Sequence, residues 1–537
     1  MVLMEQEVPL VARPAKHGIS WMAARRGWFW QGAPGILVAL IGLALRLALI
    51  WRYPLLYDGD AYGRWLDRDH PFDSPWVPLF QVCIYLLTRL ADSILAVRLL
   101  SAFFGATAAL CFWLLLRRAF GPAAAYLGAL LLALNPLFVL FSIVPYQEGL
   151  FFTLAFLALW LALAVGAARW RWLALVVGLA ALTRYEGWLL AVLLWLLFLW
   201  RRRRAGALTW RFAAGSALAL GWAPLLWVLV NRNVGPYGAQ TLAPTLDPAS
   251  LPATLGALWP EWSLHLGLIG GLLALAGLGW MGWRAARGSE LAWLLLGFLL
   301  GDLLILAFLR PFSPNNLRLP LLSLPVLLAG MAGLAGDAAI KIAAMGLRPA
   351  HRLEPTRRFI LGSSILVTIG LLVWLVPVSV QRAAGYDTLV RPAYLAADDL
   401  PRTLPSDATI ALVGSGRDFF AFLVYARQAG WQGTPIALMP TATNTPALLE
   451  AALAAAHAQL LVIYGPAASS AAVLALTQEG WLVPAGQGSG YALWLVEARH
   501  TRAPGHWVPF MYAEGPDRGE QHIIWRPIGG HDILNYL

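Results

Sequence analysis

The sequence predicts an α-helical polytopic membrane protein with a small extracytoplasmic α/β domain at its C-terminal end. Three observations predict it. Of 537 residues, 59% are hydrophobic and only 12% charged, whereas soluble globular chains carry about 25% charged residues. Apolar stretches of near-bilayer length recur from residue 34 to about 380. The basic residues sit in short clusters between those stretches. Net charge is +11, and residues 381–537 carry −3 of it, so +14 belongs to the apolar part. No basic face is assembled, which excludes a nucleic-acid partner as the reason for the charge. Two cysteines, Cys83 and Cys111, exclude a disulfide framework or a Cys-based zinc site within one chain. The first 33 residues are polar to mixed, and no small-residue cleavage pattern follows the first apolar run, so that run is expected to stay attached.

A bilayer core is crossed by about 17 to 25 apolar residues. Eleven stretches qualify, near 34–51, 96–116, 122–143, 147–166, 172–183, 187–200, 211–230, 264–283, 291–309, 318–337 and 359–379. The fifth and sixth are short and share the interruption Thr183–Arg184–Tyr185–Glu186, and they read as two spans. With residues 1–33 inside the cell, one set of loops collects Arg25 and Arg26, Arg117 and Arg118, Arg169 and Arg171, Arg201 to Arg204, Arg284 and Arg287, and Arg357 and Arg358. That bias places them at the cytoplasmic face of a plasma (inner) membrane and the C-terminal part outside. The first outer loop, 52–95, contains LLYDGDAYGRWLDRDHPFDSPWVPLF and then a 13-residue apolar stretch from Pro78 to Leu90, too short to span and suited to lie at the interface.

Residues 34–380 thus form the membrane domain and 381–537 a soluble one. In the latter, β-like runs at 409–413, 435–438, 459–464 and 491–496 alternate with helical stretches at 446–457 and 470–479. Such alternation predicts a parallel sheet with crossover helices. Gly414 and Gly416 open a helix after a strand, but Phe419 stands where a third glycine would complete a dinucleotide fingerprint.

Charge within or beside a span is expensive and marks sites or pathways. Asp58, Asp60, Arg98, Glu148, Arg184, Glu186, Arg310 and Arg318 all fall at the outer ends of the spans, with Arg46 inside the first. Carboxylates and arginines meeting at one face suit a substrate with a proton to be removed and a phosphate to be held. Sugar transfer from a lipid phosphate has both needs: a carboxylate as general base and arginines to steady the departing phosphate. A transporter would more commonly show repeated halves and midplane charge, and no two-fold similarity is present. A flippase would not call for the large outer domain.

The order of these features resembles the type C (GT-C) membrane glycosyltransferases, the superfamily of protein O-mannosyltransferases, the aminoarabinose transferase of lipid A and oligosaccharyltransferase catalytic subunits. The likeness runs from GLALRLALI (Arg46) through YDGDAY (Asp58, Asp60), SPWVPLF, AVRLLSAFFGA (Arg98), NPLFVLFSIVPYQEGLFF (Glu148) and GLAALTRYEGWLLA (Arg184, Glu186) to LRLPLLSLPVLLA (Arg318). It implies a polyprenyl-phosphate-linked sugar as donor, a lipid, glycan or protein acceptor, and an inverting transfer if the displacement is single. An acidic residue of the first outer loop would act as base. Asp60, next to the AY pair, matches best and Asp58 is close behind, whereas Glu148, Arg184, Glu186, Arg318 and Arg98 would hold substrate and phosphate. By similarity to the metal-using oligosaccharyltransferase branch, Asp58 and Asp60 could alternatively share a divalent cation, Mg or Mn. No WWD-type acceptor motif follows in the C-terminal domain, which speaks against N-glycosylation.

Overall fold

The structure is a computed structural model that describes residues 21–56, 59–69, 71–72, 77–164, 170–230, 256, 259, 263, 267–308, 318–346, 353–401, 404–414, 416–438 and 443–497. Side chains are not described at 21–32, 59–60, 305–308, 318–320, 342–346, 353–364, 416–417 and 466. Asp58 therefore lies outside the described residues, as do the side chains of Asp60 and Arg318.

Among the described residues, ten of the eleven apolar stretches each fall on a single helix, and the stretch 122–143 falls on two. The order is α1 (Trp21–Arg52), α2 (Gly59–Leu66), α3 (Leu79–Thr88), α4 (Ile94–Phe120), α5 (Pro122–Leu134), α6 (Pro136–Leu140), α7 (Glu148–Leu163), α8 (Trp170–Ala181), α9 (Glu186–Arg204), α10 (Trp210–Val230), α11 (Gly267–Ala286), α12 (Glu290–Phe308), α13 (Arg318–Gly346) and α14 (Leu353–Asp398). Among the described residues, six segments are long and apolar enough to cross a bilayer, within α1, α4, α10, α11, α13 and α14. The chain is a multi-pass membrane protein.

Two departures from expectation have local causes. The stretch 122–143 is not one helix. Pro136 disfavours a helical conformation at Asn135, whose ψ is 123° and whose Oδ1 accepts the Phe138 N–H at 3.0 Å, so α5 ends and the short α6 begins. The last span also outruns its apolar part. α14 has 46 residues, roughly 70 Å at 1.5 Å per residue, and its far end buries Val390, Ala393, Ala396 and Ala397.

The C-terminal part holds β1 (Ile410–Val413), α15 (Gly416–Gln428), β2 (Pro435–Leu438), α16 (Pro446–Ala455), β3 (Leu460–Tyr464), α17 (Ala471–Gln478), β4 (Leu482–Gly488) and β5 (Tyr491–Val496). The sheet order is β2-β1-β3-β5-β4. β1 pairs with β2 and β3 in parallel, but β5 runs antiparallel to both β3 and β4. The expected parallel sheet is thus a mixed one. The extra strand β4 pairs irregularly between Pro484 and Gly486, as a proline-bearing edge strand does. Alternation along β1 and β3 sends Ile410, Leu412, Leu460 and Val462 into the core continuous with the membrane helices, and Ala411, Val413, Leu461 and Ile463 into a second core under α16 and α17. The domain therefore sits on the bundle through α14 and α15.

Inside the bundle, α4 and α7 cross backbone to backbone. A Cβ on Gly149 would lie 2.9 Å from the Gly105 nitrogen, and one on Gly105 would lie 2.7 Å from Arg46 Nε. That space admits the Arg46 guanidinium, which donates to Ser142 Oγ at 2.6 Å and to the Gly42 and Ala133 carbonyls at 2.9 Å each. Gly149→Ala should lower the unfolding free energy by about 1–3 kcal/mol, the range for overpacking a close contact. Gly279→Ala, where nothing lies within 4 Å, should be neutral or slightly stabilising. Thermal unfolding of both variants in detergent checks this, and equal shifts would contradict the close crossing.

Candidate functional site

Four structural pieces converge on the charged residues. α7 begins at Glu148, fully buried. α8 and α9 turn sharply at 182–185, because a Cβ on Gly187 would lie 2.5 Å from the Ala180 carbonyl oxygen and glycine removes that clash. The turn puts Arg184 into the interior at 5% exposure. There its Nη1 donates to Glu148 Oε1, while Nε and Nη2 bind Glu186 Oε2 and Oε1 at 2.9 and 2.8 Å. One guanidinium thus bridges two carboxylates from different helices, in the bidentate geometry that suits arginine and not lysine.

A third piece is α3, whose Leu79 N–H donates to the Leu182 carbonyl at 2.8 Å, tying the interfacial helix to the Arg184 turn. The fourth is α2, which carries Asp60 in its first turn. Its Arg64, 1% exposed, donates from Nη2 to Gln147 Oε1 at 2.9 Å, and the Arg64 carbonyl accepts from Gln81 Nε2 at 2.8 Å. The acidic-loop helix is therefore fastened to the residue preceding Glu148.

Glu148, Arg184 and Glu186 are thus brought together, and the helix bearing Asp60 is joined to them. Arg98 is 1% exposed on α4. Its guanidinium donates to the carbonyls of Ile143, Pro54 and Tyr53 at 2.7, 2.6 and 2.8 Å, linking the chain ahead of the acidic motif to the turn ahead of Glu148. Arg318 opens α13. Arg310 and His70 lie outside the described residues. Asp69 meets Arg89 at 3.1 Å, an exposed pair of the loop face.

Sequence reasoning missed Asp302, Arg64 and Gln147. Asp302 is 1% exposed on α12, within electrostatic reach of Glu186 and Arg184. The signal was present: a lone carboxylate inside LLLGFLLGDLLILAF, costly unless it serves a site.

The charged layer caps an apolar cleft between α7, α9, α12 and α13. The cleft is narrow, and the part of its lining nearest the charged residues lies one helical turn from them. Phe151 and Phe152 lie one turn from Glu148, Leu190 one turn from Glu186, Phe298 one turn from Asp302 and Leu322 one turn from Arg318. As for a cation, the described side chains do not make a site for one. Glu148 and Glu186 are bound to Arg184, and no three His, Cys, Asp or Glu side chains converge among the described residues.

Residues 69–227 match the dolichyl-phosphate-mannose-protein mannosyltransferase family. No curated protein matches the sequence. Among solved structures, ArnT from Cupriavidus metallidurans bound to undecaprenyl phosphate is 16% identical, over 89% of this chain and 99% of that one, with a TM-score of 0.52. The archaeal oligosaccharyltransferase AglB from Archaeoglobus fulgidus, in complex with an inhibitory peptide and a dolichol-phosphate, is 13% identical over 83% and 70% of the two chains, with the same TM-score. The Archaeoglobus fulgidus oligosaccharyltransferase complexed with Zn and sulfate is 14% identical over 80% and 68%, with a TM-score of 0.50. At such identities the likeness is one of fold, and the fold is that of the type C membrane glycosyltransferases.

Proposed function

We propose that the protein moves a sugar from a polyprenyl-phosphate-linked donor to a lipid, glycan or protein acceptor at the extracytoplasmic face of the membrane. The observation that carries this reading is the stacking of a buried arginine–carboxylate layer on the end of an apolar cleft. An amphiphile with a phosphate head and an isoprenoid tail fits both halves at once. The fold and the matched family support it, as do the undecaprenyl phosphate and dolichol-phosphate bound by two proteins of similar fold. The charge bias of the loops supports the outer face and a domain division at 33 and 380.

Within this reading Asp60, or Asp58 beside it, takes the proton from the acceptor as attack at the anomeric carbon proceeds through an oxocarbenium-like transition state. A single displacement inverts the configuration. Glu148 and Glu186 shape the acceptor side, held in place by Arg184, and Arg318 at the rim of the cleft steadies the leaving phosphate. Arg98 acts on the same site by fixing the backbone on both of its flanks. Should Asp58 and Asp60 hold a divalent cation, they would do so without the bound carboxylates Glu148 and Glu186.

Three outcomes test the reading. Release of radiolabelled sugar from polyprenyl-phosphate donors by purified protein in lipid should fall at least about 100-fold in Asp60→Asn or in Asp58→Asn, the low end for loss of a general base. Absence of release by the wild type with every donor and added acceptor membranes would favour a transporter or flippase. Arg184→Met removes the cation that bridges the buried Glu148 and the part-buried Glu186 and should destabilise the fold by about 3 kcal/mol, the low end for breaking a buried ion pair. Arg184→Lys should keep most of the stability and lose about tenfold in kcat/KM, as measured by paired melting and turnover. Val326→Trp fills the cleft and should raise KM for a long-chain donor about tenfold while sparing a short-chain one. Equal effects on both donors would place the prenyl chain elsewhere.

A further inference from the structure

The membrane helices do not fix the acidic loop alone. Leu56 is fully buried, two residues ahead of Asp58, and both its backbone groups are bound by tyrosines. Its N–H donates to the Tyr425 hydroxyl at 2.8 Å. Its carbonyl accepts from the Tyr62 hydroxyl, which itself lies 3.5 Å from that of Tyr425. Tyr62 belongs to α2, the helix of Asp60, and Tyr425 to α15, 369 residues from Leu56 along the chain. The Tyr425 ring is held edge-on by Tyr62 and by Tyr394 of α14, with centroids 5.9 and 5.2 Å away. Arg98 binds the Tyr53 and Pro54 carbonyls just upstream. The approach to the acidic motif is thus gripped from the membrane side by Arg98 and from the outer side by the C-terminal domain.

We propose that Tyr425 is a positioning residue, through which the C-terminal domain sets the placement of the helix and loop that carry the base. The physical reason lies in an asymmetry. A buried N–H deprived of its acceptor bears its full desolvation penalty, so the peptide at Leu56 is stable in this place only with the domain seated. The hydroxyl acts through the backbone, and it stays neutral because burial pushes its pKa up to about 12. A domain of the size of 381–537 would then be part of the catalytic apparatus, and anything that unseats it would slow sugar transfer without changing the cleft.

This inference rests on the first outer loop as carrier of the base, so the test has one arm that needs no activity. Tyr425→Phe keeps the ring between Tyr62 and Tyr394 and removes only the hydroxyl. Trp431→Phe is the control: it removes a hydrogen bond of the same domain, from Trp431 Nε1 to the Ala408 carbonyl at 3.0 Å, remote from the loop. Amide hydrogen exchange of the full chain in lipid should rise about tenfold at residues 53–66 in Tyr425→Phe, and not in the control. Turnover of a polyprenyl-phosphate sugar should show kcat about tenfold lower with KM for the donor unchanged. The control should keep wild-type kcat. Unchanged exchange at 53–66 would overturn the proposal whether or not any donor is turned over. So would a loss of activity accompanied by exchange rising equally throughout the chain, or a normal kcat in Tyr425→Phe. A wild type that turns over no donor would instead count against the function proposed above, and the exchange result alone would then decide this inference.

Discussion

A guanidinium shared by two carboxylates, one fully buried and one part-buried, is the constraint on which the site depends. Removing ions of this kind from water costs several kcal/mol each, and the attraction repays it only when geometry and further hydrogen bonds are good. Arg184 meets that condition with both Glu186 oxygens and one of Glu148. To do so it must sit in a turn tight enough to require Gly187, beside an α7 that approaches α4 closely enough to require Gly149. The close helix crossings, the break at Asn135 and the tether from α3 are thus parts of one arrangement that gathers these charges at one end of the bundle.

That placement gives the site its chemistry. Above the layer, the helix of the acidic motif is fastened through Arg64 and Gln147. Below it, each of four helices turns apolar within one helical turn. A charged plane over an apolar slot suits an amphiphile, by the same hydrophobic and electrostatic terms that order a bilayer. The C-terminal domain adds the Tyr425 hydroxyl, bound to the Leu56 backbone just ahead of the loop. The charged residues are therefore flanked by elements far apart in the chain.

Much of this was legible in the sequence, for identifiable reasons. Long apolar runs mark helices because nothing else satisfies the backbone in lipid, so the expected stretches are helical among the described residues, 122–143 in two pieces. Glu148, Arg184 and Glu186 stood out because charge near a span is rare. Asp302 carries the same mark, but it lies deeper than the interruption motifs that drew attention. Strand β4 was hidden by Pro484, Gly486 and Gly488, residues that signal turns and are tolerated here only because the strand is an edge. The bond from Leu56 to Tyr425 leaves no local trace, since its partners are separated by most of the chain. The antiparallel return of β5 was likewise invisible to a reading of alternation alone.

Cryo-electron microscopy of the protein in lipid nanodiscs with a polyprenyl phosphate addresses the donor site most directly. Phosphate density at the layer of Arg184 and Arg318, with the chain running past Phe152 and Leu322 into the cleft, is the expected result. A lipid phosphate bound away from that layer, with the cleft empty, would contradict the assignment of this site to the donor.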